Sequence, residues 1–137
     1  MILVDSGPLI AAFDRSDDRH KECAALLQDL PDELLVPPTV VAEVCYMVAR
    51  ERFGADLEAA FLRTLADGNL TPATLEPVDF ARMAELVVRY QSLPLGGTDA
   101  SVIALAERHD VRTVLTLDRR HFQVVQPRHT DALELLP

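Results

Sequence analysis

The chain has 137 residues, which suits a single domain spanning 1–137. Hydrophobic residues make up 49% of it and charged residues 26%, so the composition excludes a disordered chain and allows a packed core. The net charge of −9, from 22 acidic and 13 basic residues, argues against a protein that coats nucleic acid through a broad basic surface.

The N-terminus and the cysteines indicate a location. Asp5 comes too early for a signal peptide, and no apolar run approaches the roughly 20 residues of a membrane span. Cys23 and Cys45 have no CxxC spacing and fit buried thiols in a reducing compartment. We therefore expect a soluble, cytoplasmic protein without a membrane partner.

Short apolar runs alternate with helical patterns along the chain. The predicted strands are 2–4, 34–36, 70–72, 112–117, 124–125 and 133–136. The predicted helices are 9–13, 17–30, 39–52, 55–66, 77–91 and 98–109, with Thr39 and Thr98 as N-caps and Gly54 as a separator. This alternation predicts an α/β fold: one mostly parallel sheet of four to five short strands with helices on both faces.

Four carboxylates stand at unusual places in this pattern. Asp5 and Asp118 each follow a buried strand, where the carboxyl ends of parallel strands line a ligand crevice. Glu43 shares a helix stripe with apolar residues, and Asp99 opens a helix that buries its next turns. Each acid also has an ordinary interpretation, as a turn residue, a favourable charge near a helix N-terminus or a solvent-facing side chain.

Convergence of the four acids would point to a metal site. Carboxylates that share one crevice repel one another unless hard divalent cations bind them. The chain has few histidines and no paired cysteines, which favours Mg²⁺ or Mn²⁺ over Zn²⁺. Such a site suits phosphodiester hydrolysis, in which the cation activates water and neutralises charge on the phosphate.

Polar and basic residues flank the acids. Ser6, Thr98 and Thr116 are candidates to orient the carboxylates, although a cap or an ordinary strand position explains each of them equally well. Arg119 and Arg120 follow Asp118 and are candidates to hold the flanking phosphates of a substrate, with a solvated turn as the alternative. Ser101 and His121 are weaker candidates, the first as a further supporting hydroxyl and the second as a general acid or base.

These pieces together resemble a PIN-domain ribonuclease, and more narrowly a VapC-type toxin of a bacterial toxin–antitoxin pair. The matching segments are Ile-Leu-Val-Asp-Ser-Gly at 2–7, Val-Val-Ala-Glu-Val at 40–44, Leu-Gly-Gly-Thr-Asp-Ala-Ser at 95–101 and Leu-Thr-Leu-Asp-Arg-Arg-His-Phe at 115–122. No single segment is specific, but their order and spacing cover the whole chain. One departure is Ser6-Gly7, where many relatives have Thr-Ser.

The resemblance implies particular roles and partners. It implies that Asp5 and Asp99 are the principal Mg²⁺ ligands and that Glu43 and Asp118 complete the pocket, directly or through water. It also implies an endoribonuclease that cleaves structured RNA such as tRNA or rRNA. A homodimer and a cognate antitoxin that blocks the pocket are further expectations.

Three other functions stay open at this point. A phosphotransfer protein of the haloacid-dehalogenase or receiver type also places Asp at a strand end, but Gly7 occupies the position of the second Asp that dehalogenases use. A receiver needs a late Lys, and Lys21 is the only Lys. A non-catalytic module that binds a basic partner in an acidic crevice and a non-toxin RNA-processing PIN nuclease are the remaining alternatives.

Overall fold

Five short parallel strands form one sheet in the computed structural model, which describes residues 1–137. The strands are β1 (Ile2–Val4), β2 (Leu34–Val36), β3 (Thr71–Pro72), β4 (Thr113–Leu115) and β5 (Glu134–Leu136). Their order is β3-β2-β1-β4-β5, and all four neighbouring pairs are parallel. The predicted α/β class and central parallel sheet are confirmed.

The strand order creates a crevice beside β1. The chain moves outward from β1 to β2 and β3, then returns to place β4 on the other side of β1. Leu3 pairs with Val114 and Val4 with Leu115, so both strands end side by side. In open α/β sheets, ligands bind outside the carboxyl ends of the strands at such a switch point. The fold therefore directs attention to the residues that follow β1 and β4.

Seven helices connect and cover the strands. They are α1 (Ser6–Phe13), α2 (His20–Asp29), α3 (Pro38–Val48), α4 (Gly54–Ala66), α5 (Pro77–Arg89), α6 (Gly97–His109) and α7 (Arg119–Val124). Helices α1 to α4 pack against one another, α5 packs along α6, and α3 meets α6. Right-handed crossovers place the α1–α4 and α5–α6 groups on opposite faces, because the chain reverses direction across the sheet between them. None of these helices has the length and apolar character needed to cross a membrane.

The core is built from β1, β2, β4 and one face of most helices, but α6 is buried on nearly every side. Every residue from 100 to 106 of this helix is buried. A helix buried all round must lie between other layers of the protein, and its position is therefore tightly constrained. Asp99 stands in the first turn of α6, so the core fixes where its backbone lies.

Four helices, α1, α3, α4 and α6, begin earlier than the sequence predicts. Helix α1 begins at Ser6 because Asp5 caps it, accepting the Ser6 backbone N–H at 2.8 Å. Helix α3 begins at Pro38, and α6 follows a Gly96 cap, so the predicted caps Thr39 and Thr98 are wrong. Proline is tolerated in a helix's first turn, where its missing N–H leaves no bond unmade.

The strand predicted at 124–125 is wrong, because residues 119–124 form the short helix α7. Phe122 and Val125 are buried whereas Val124 is exposed, which fits one side of a helix and not a paired strand. The predicted strand 112–117 is shorter in the structure and ends at Leu115. Thr116 and Asp118 consequently lie on the loop beyond β4.

Other helix ends also differ from the prediction. Helix α2 begins at His20, after turns in which the Asp14 and Asp17 carboxylates accept backbone N–H groups. Helix α3 ends at Val48, short of residue 52, and Phe53 then adopts a left-handed φ of 60°. Gly54 follows, and a Cβ there would lie 2.3 Å from the Ala49 carbonyl oxygen, so the α3–α4 turn requires glycine.

A network of arginines and carboxylates joins α5 to α6. The Arg82 guanidinium donates to both Glu107 carboxylate oxygens, at 2.8 and 2.9 Å, and both side chains are about nine-tenths buried. Arg108 donates to buried Asp79 at 2.9 Å, and its other nitrogens donate to Glu76 and to the Thr74 carbonyl. Part of the chain's arginine content is therefore committed to internal packing.

Candidate active site

An open cavity of about 510 Å³ lies at the carboxyl ends of β1 and β4. Only one of the eight residues that line it, Leu117, is hydrophobic; the others are Asp5, Ser6, Gly7, Glu43, Asp99, Asp118 and His121. The structure thus brings all four of the singled-out carboxylates to one place. The assignment of these acids as metal ligands stays a prediction.

Four separate elements supply the acids. Asp5 lies between β1 and α1, and its backbone N–H donates to the Leu115 carbonyl of β4 at 2.9 Å. Glu43 comes from the second turn of α3, Asp99 from the first turn of α6, and Asp118 from the cap of α7. The cavity therefore depends on the whole fold and not on one local segment.

Asp5 is the most buried of the four, with 6% of its surface exposed. Its Oδ1 accepts the Ser6 N–H, and its Oδ2 accepts the Thr116 hydroxyl at 2.8 Å. The pKa of Asp5 is raised to about 6, chiefly by burial and to a smaller extent by the Asp99 and Glu43 charges, while the two hydrogen bonds oppose the rise. Asp5 is thus a carboxylate that is costly to ionise without a nearby cation.

Asp99 is held by a histidine. His121 Nδ1 lies 2.8 Å from Asp99 Oδ2 and 3.8 Å from Asp118 Oδ2. Burial raises the pKa of Asp99, whereas the hydrogen bond from His121 lowers it. The other imidazole nitrogen, Nε2, is buried and has no hydrogen-bond partner.

Thr116 connects two of the acids. Besides donating to Asp5, its buried hydroxyl accepts the Asp118 backbone N–H at 3.1 Å. The same side chain therefore fixes the carboxylate of Asp5 and the backbone of Asp118. Its position directly after β4 matches the supporting position that the sequence indicates.

The other predicted supporting hydroxyls have different surroundings. Ser6 lines the cavity, but it hydrogen-bonds to Asp5 through its backbone N–H. Thr98 does not line the cavity, and its carbonyl accepts the Ser101 hydroxyl at 2.6 Å. Ser101 in turn lies 2.5 Å from the Thr39 hydroxyl, which joins α6 to α3 beneath the acids. Sequence analysis missed this bond because 62 residues separate its partners.

The two arginines after Asp118 are exposed at the start of α7. The Arg119 guanidinium donates to the Pro137 and Leu135 carbonyls, so it ties α7 to the last strand. The Arg120 side chain is 73% exposed and lies 3.8 Å from the Asp118 carboxylate. Their contact with RNA phosphates stays a prediction.

The donor chemistry of the cavity fits a hard divalent cation. As the side chains stand, no three His, Cys, Asp or Glu groups are close enough together to hold a metal ion. Four carboxylates nevertheless face one open cavity, and burial, together with repulsion from Asp99 and Glu43, raises the pKa of the most buried one, Asp5. Oxygen-rich, anionic sites of this kind suit Mg²⁺ or Mn²⁺, and side-chain rotation would complete them.

A second cavity, of about 580 Å³, lies at the amino ends of β2 and β3. Apolar side chains such as Phe13, Leu27 and Leu70 form most of its lining. It contains no cluster of titratable groups, so it offers no set of acids, bases or metal ligands for chemistry.

Comparison with known proteins identifies the family. Residues 2–126 match the PIN domain. The chain belongs to the PIN-domain family. The match includes all four acids of the cavity, and it confirms the resemblance drawn from the sequence.

A curated PIN-domain relative is Ribonuclease VapC26 from Mycobacterium tuberculosis. It is 39% identical over 126 residues, which cover 92% of this chain and 93% of that protein. Similarity over nearly the full length of both proteins makes VapC26 a relative of the whole domain and not of one motif.

Solved structures of PIN-domain proteins share the fold. VapC20 from Mycobacterium tuberculosis, described as a sarcin–ricin loop cleaving toxin, superposes with a TM-score of 0.76 at 18% identity, over 83% of this chain and 87% of that one. VapBC2 from Rickettsia felis, solved with a fragment of its promoter DNA, gives a TM-score of 0.70 at 16% identity, over 99% and 98%. At these identities the likeness establishes the fold alone.

Proposed function

We propose that this PIN-domain protein is a VapC-type endoribonuclease, the toxin of a toxin–antitoxin pair, and that it hydrolyses phosphodiester bonds in structured RNA. The gathering of four carboxylates in one open cavity carries the proposal, because cavities rich in carboxylate oxygens suit cation-assisted hydrolysis. The 39% identity with a curated ribonuclease supports the same activity.

We assign different roles to the residues in and beside the cavity. Asp5 and Asp99 are the principal cation ligands, with Glu43 and Asp118 completing the set directly or through water. Mg²⁺, or Mn²⁺ in its place, supplies Lewis acidity toward the phosphate and lowers the pKa of water when it is bound. Thr116 keeps the Asp5 carboxylate turned toward the cavity by donating to Oδ2. Arg119 and Arg120 are candidates for flanking phosphates of a tRNA or rRNA substrate.

Three structural relatives support an antitoxin partner. Two are named as VapBC assemblies, from Rickettsia felis and Haemophilus influenzae, and a third is FitAcB from Neisseria gonorrhoeae. We propose that this chain also pairs with an antitoxin, which inhibits it, and that the chain forms a homodimer. The net charge of −9 fits a partner segment rich in Lys or Arg.

Cleavage of purified tRNA and rRNA with Mg²⁺ tests the activity. Asp5→Asn or Asp99→Asn should reduce cleavage to background because each removes a carboxylate ligand while preserving side-chain shape. Asp131→Asn, at an exposed residue far along the chain from the four acids, is the matched control and should cleave normally. Full activity in an Asp5→Asn/Asp99→Asn double variant would disprove the proposal.

Expression in bacterial cells distinguishes a toxin from an RNA-processing nuclease and from a non-catalytic binding module. A toxin should arrest growth, and sequencing of RNA 5′ ends after induction should show new ends at one or a few positions in tRNA or rRNA. New ends in precursor RNA without growth arrest would instead indicate a processing nuclease. No new ends, together with no response to Mn²⁺, would favour the non-catalytic module.

A further inference from the structure

The contact between His121 and Asp99 is the only hydrogen bond that an imidazole makes within the acidic cavity. The bond joins α7 to the first turn of α6 across 22 residues, and the His121 side chain is only 13% exposed. An ionised carboxylate can only accept, so Nδ1 must be the protonated nitrogen of this pair. The neutral imidazole then carries its proton on Nδ1.

The fold holds His121 firmly in place. The next residue, Phe122, is 1% exposed and anchors α7 in the core. The backbone carbonyl of His121 accepts the Val125 N–H that closes the helix. Asp99 is fixed equally well, by the buried helix that follows it. Two buried parts of the fold therefore meet at this hydrogen bond, which engages Asp99 Oδ2, while no other side chain hydrogen-bonds to Oδ1.

We infer that His121 is a positioning residue, which holds the Asp99 carboxylate so that Oδ1 faces the cation site. The inference rests on the proposed function. Carboxylates that bind metals are commonly oriented by an outer hydrogen-bond donor, and loss of that donor typically weakens metal binding roughly 10- to 100-fold. The imidazole reaches no cation itself in this role, and it transfers no proton.

Two amide substitutions provide a matched test in the full-length protein. His121→Asn places an amide nitrogen where Nδ1 lies, so Mn²⁺ affinity should stay close to that of the unaltered protein. His121→Gln carries its amide farther out, near the Nε2 position, and should weaken Mn²⁺ binding roughly 10- to 100-fold. Calorimetry with Mn²⁺ alone gives the dissociation constants, and thermal unfolding in metal-free buffer shows whether both variants are folded.

The outcomes distinguish this inference from the proposed function. Equal Mn²⁺ affinity in both variants and the unaltered protein overturns the role of His121 but leaves the metal site intact. Tighter binding by His121→Gln also overturns it, because the imidazole would then compete with the cation. If the unaltered protein binds no Mn²⁺, or binds it equally after Asp99→Asn, the proposed metal site fails and the inference fails with it.

Nitrogen NMR gives a second measurement that needs no cation. In the metal-free protein, two-bond ¹H–¹⁵N spectra should show a proton on Nδ1 of His121. Asp99→Ala should shift the Nδ1 signal, because it removes the acceptor. A proton on Nε2 with none on Nδ1 in the unaltered protein would contradict the assignment.

Discussion

At the scale of single residues, the ionised Asp5 carboxylate destabilises the metal-free folded protein, although Asp5 is a proposed cation ligand. Burial and two neighbouring carboxylates raise the pKa of Asp5 from 3.8 to about 6, so ionisation costs folding free energy. Function at a metal site often conflicts with stability in this way, since a cation-free pocket keeps its repelling charges.

Asp5→Asn should therefore stabilise the metal-free protein. Above pH 6 the gain should approach about 3 kcal/mol, because each unit of pKa change corresponds to about 1.4 kcal/mol. The amide oxygen can still accept the Ser6 N–H, and Thr116 can accept from the amide nitrogen.

The pH dependence of the stabilisation by Asp5→Asn tests whether the raised pKa of Asp5 causes it. The pKa of Asp5 is higher in the folded chain, so the destabilisation is complete above pH 6 and disappears as the pH falls toward 3.8. Urea unfolding of both proteins in chelator should give free energies of unfolding that differ most at neutral pH and converge near pH 4. A constant difference across this range would contradict the cause given.

At the scale of secondary-structure elements, buried ion pairs fix how α5 lies on α6. The Nε and Nη2 groups of the buried Arg82 guanidinium both donate hydrogen bonds to the Glu107 carboxylate. Glu107→Ala should cost about 3–5 kcal/mol, because it removes the buried partner of the Arg82 charge and leaves only the exposed Glu85 beside it. Glu85 also contacts Arg82 but is 56% exposed, so Glu85→Ala is the matched control and should cost less than about 1 kcal/mol.

Denaturant unfolding of the two glutamate variants measures this difference directly. The double variant Arg82→Met/Glu107→Leu should recover much of the loss, since apolar side chains of similar volume can replace a buried pair. Equal stability of Glu107→Ala and Glu85→Ala would show that the pair contributes little to the α5–α6 contact.

The same scale shows what the sequence can and cannot predict. Asp5 and Asp118 are predictable as neighbours, because each follows an apolar strand and parallel strands end at one edge. Helix α7 is not predictable, because the adjacent apolar residues Val124 and Val125 resemble a short strand. Only the structure shows that Phe122 and Val125 are buried together, as on one side of a helix. Contacts such as His121 with Asp99 depend on how distant elements pack, and no local pattern contains that information.

At the scale of the whole molecule, the charge distribution indicates how RNA can be bound. The acids exceed the bases by nine, and four of the acids line one cavity. Five arginines, Arg19, Arg82, Arg108, Arg120 and Arg128, are already paired with carboxylates. No Arg or Lys lines the cavity, so divalent ions bound there would provide the main local positive charge.

Divalent cations should consequently stabilise the folded chain. Mn²⁺ at 100 times its dissociation constant should raise the free energy of unfolding by about 2.7 kcal/mol, since the unfolded chain does not assemble the site. Asp99→Asn should lose most of this increase, whereas Asp131→Asn should keep it. Thermal and urea unfolding with and without MnCl₂, at ionic strength matched with NaCl, separate specific binding from general screening. An equal response of both variants would show that Mn²⁺ binds outside the acidic cavity.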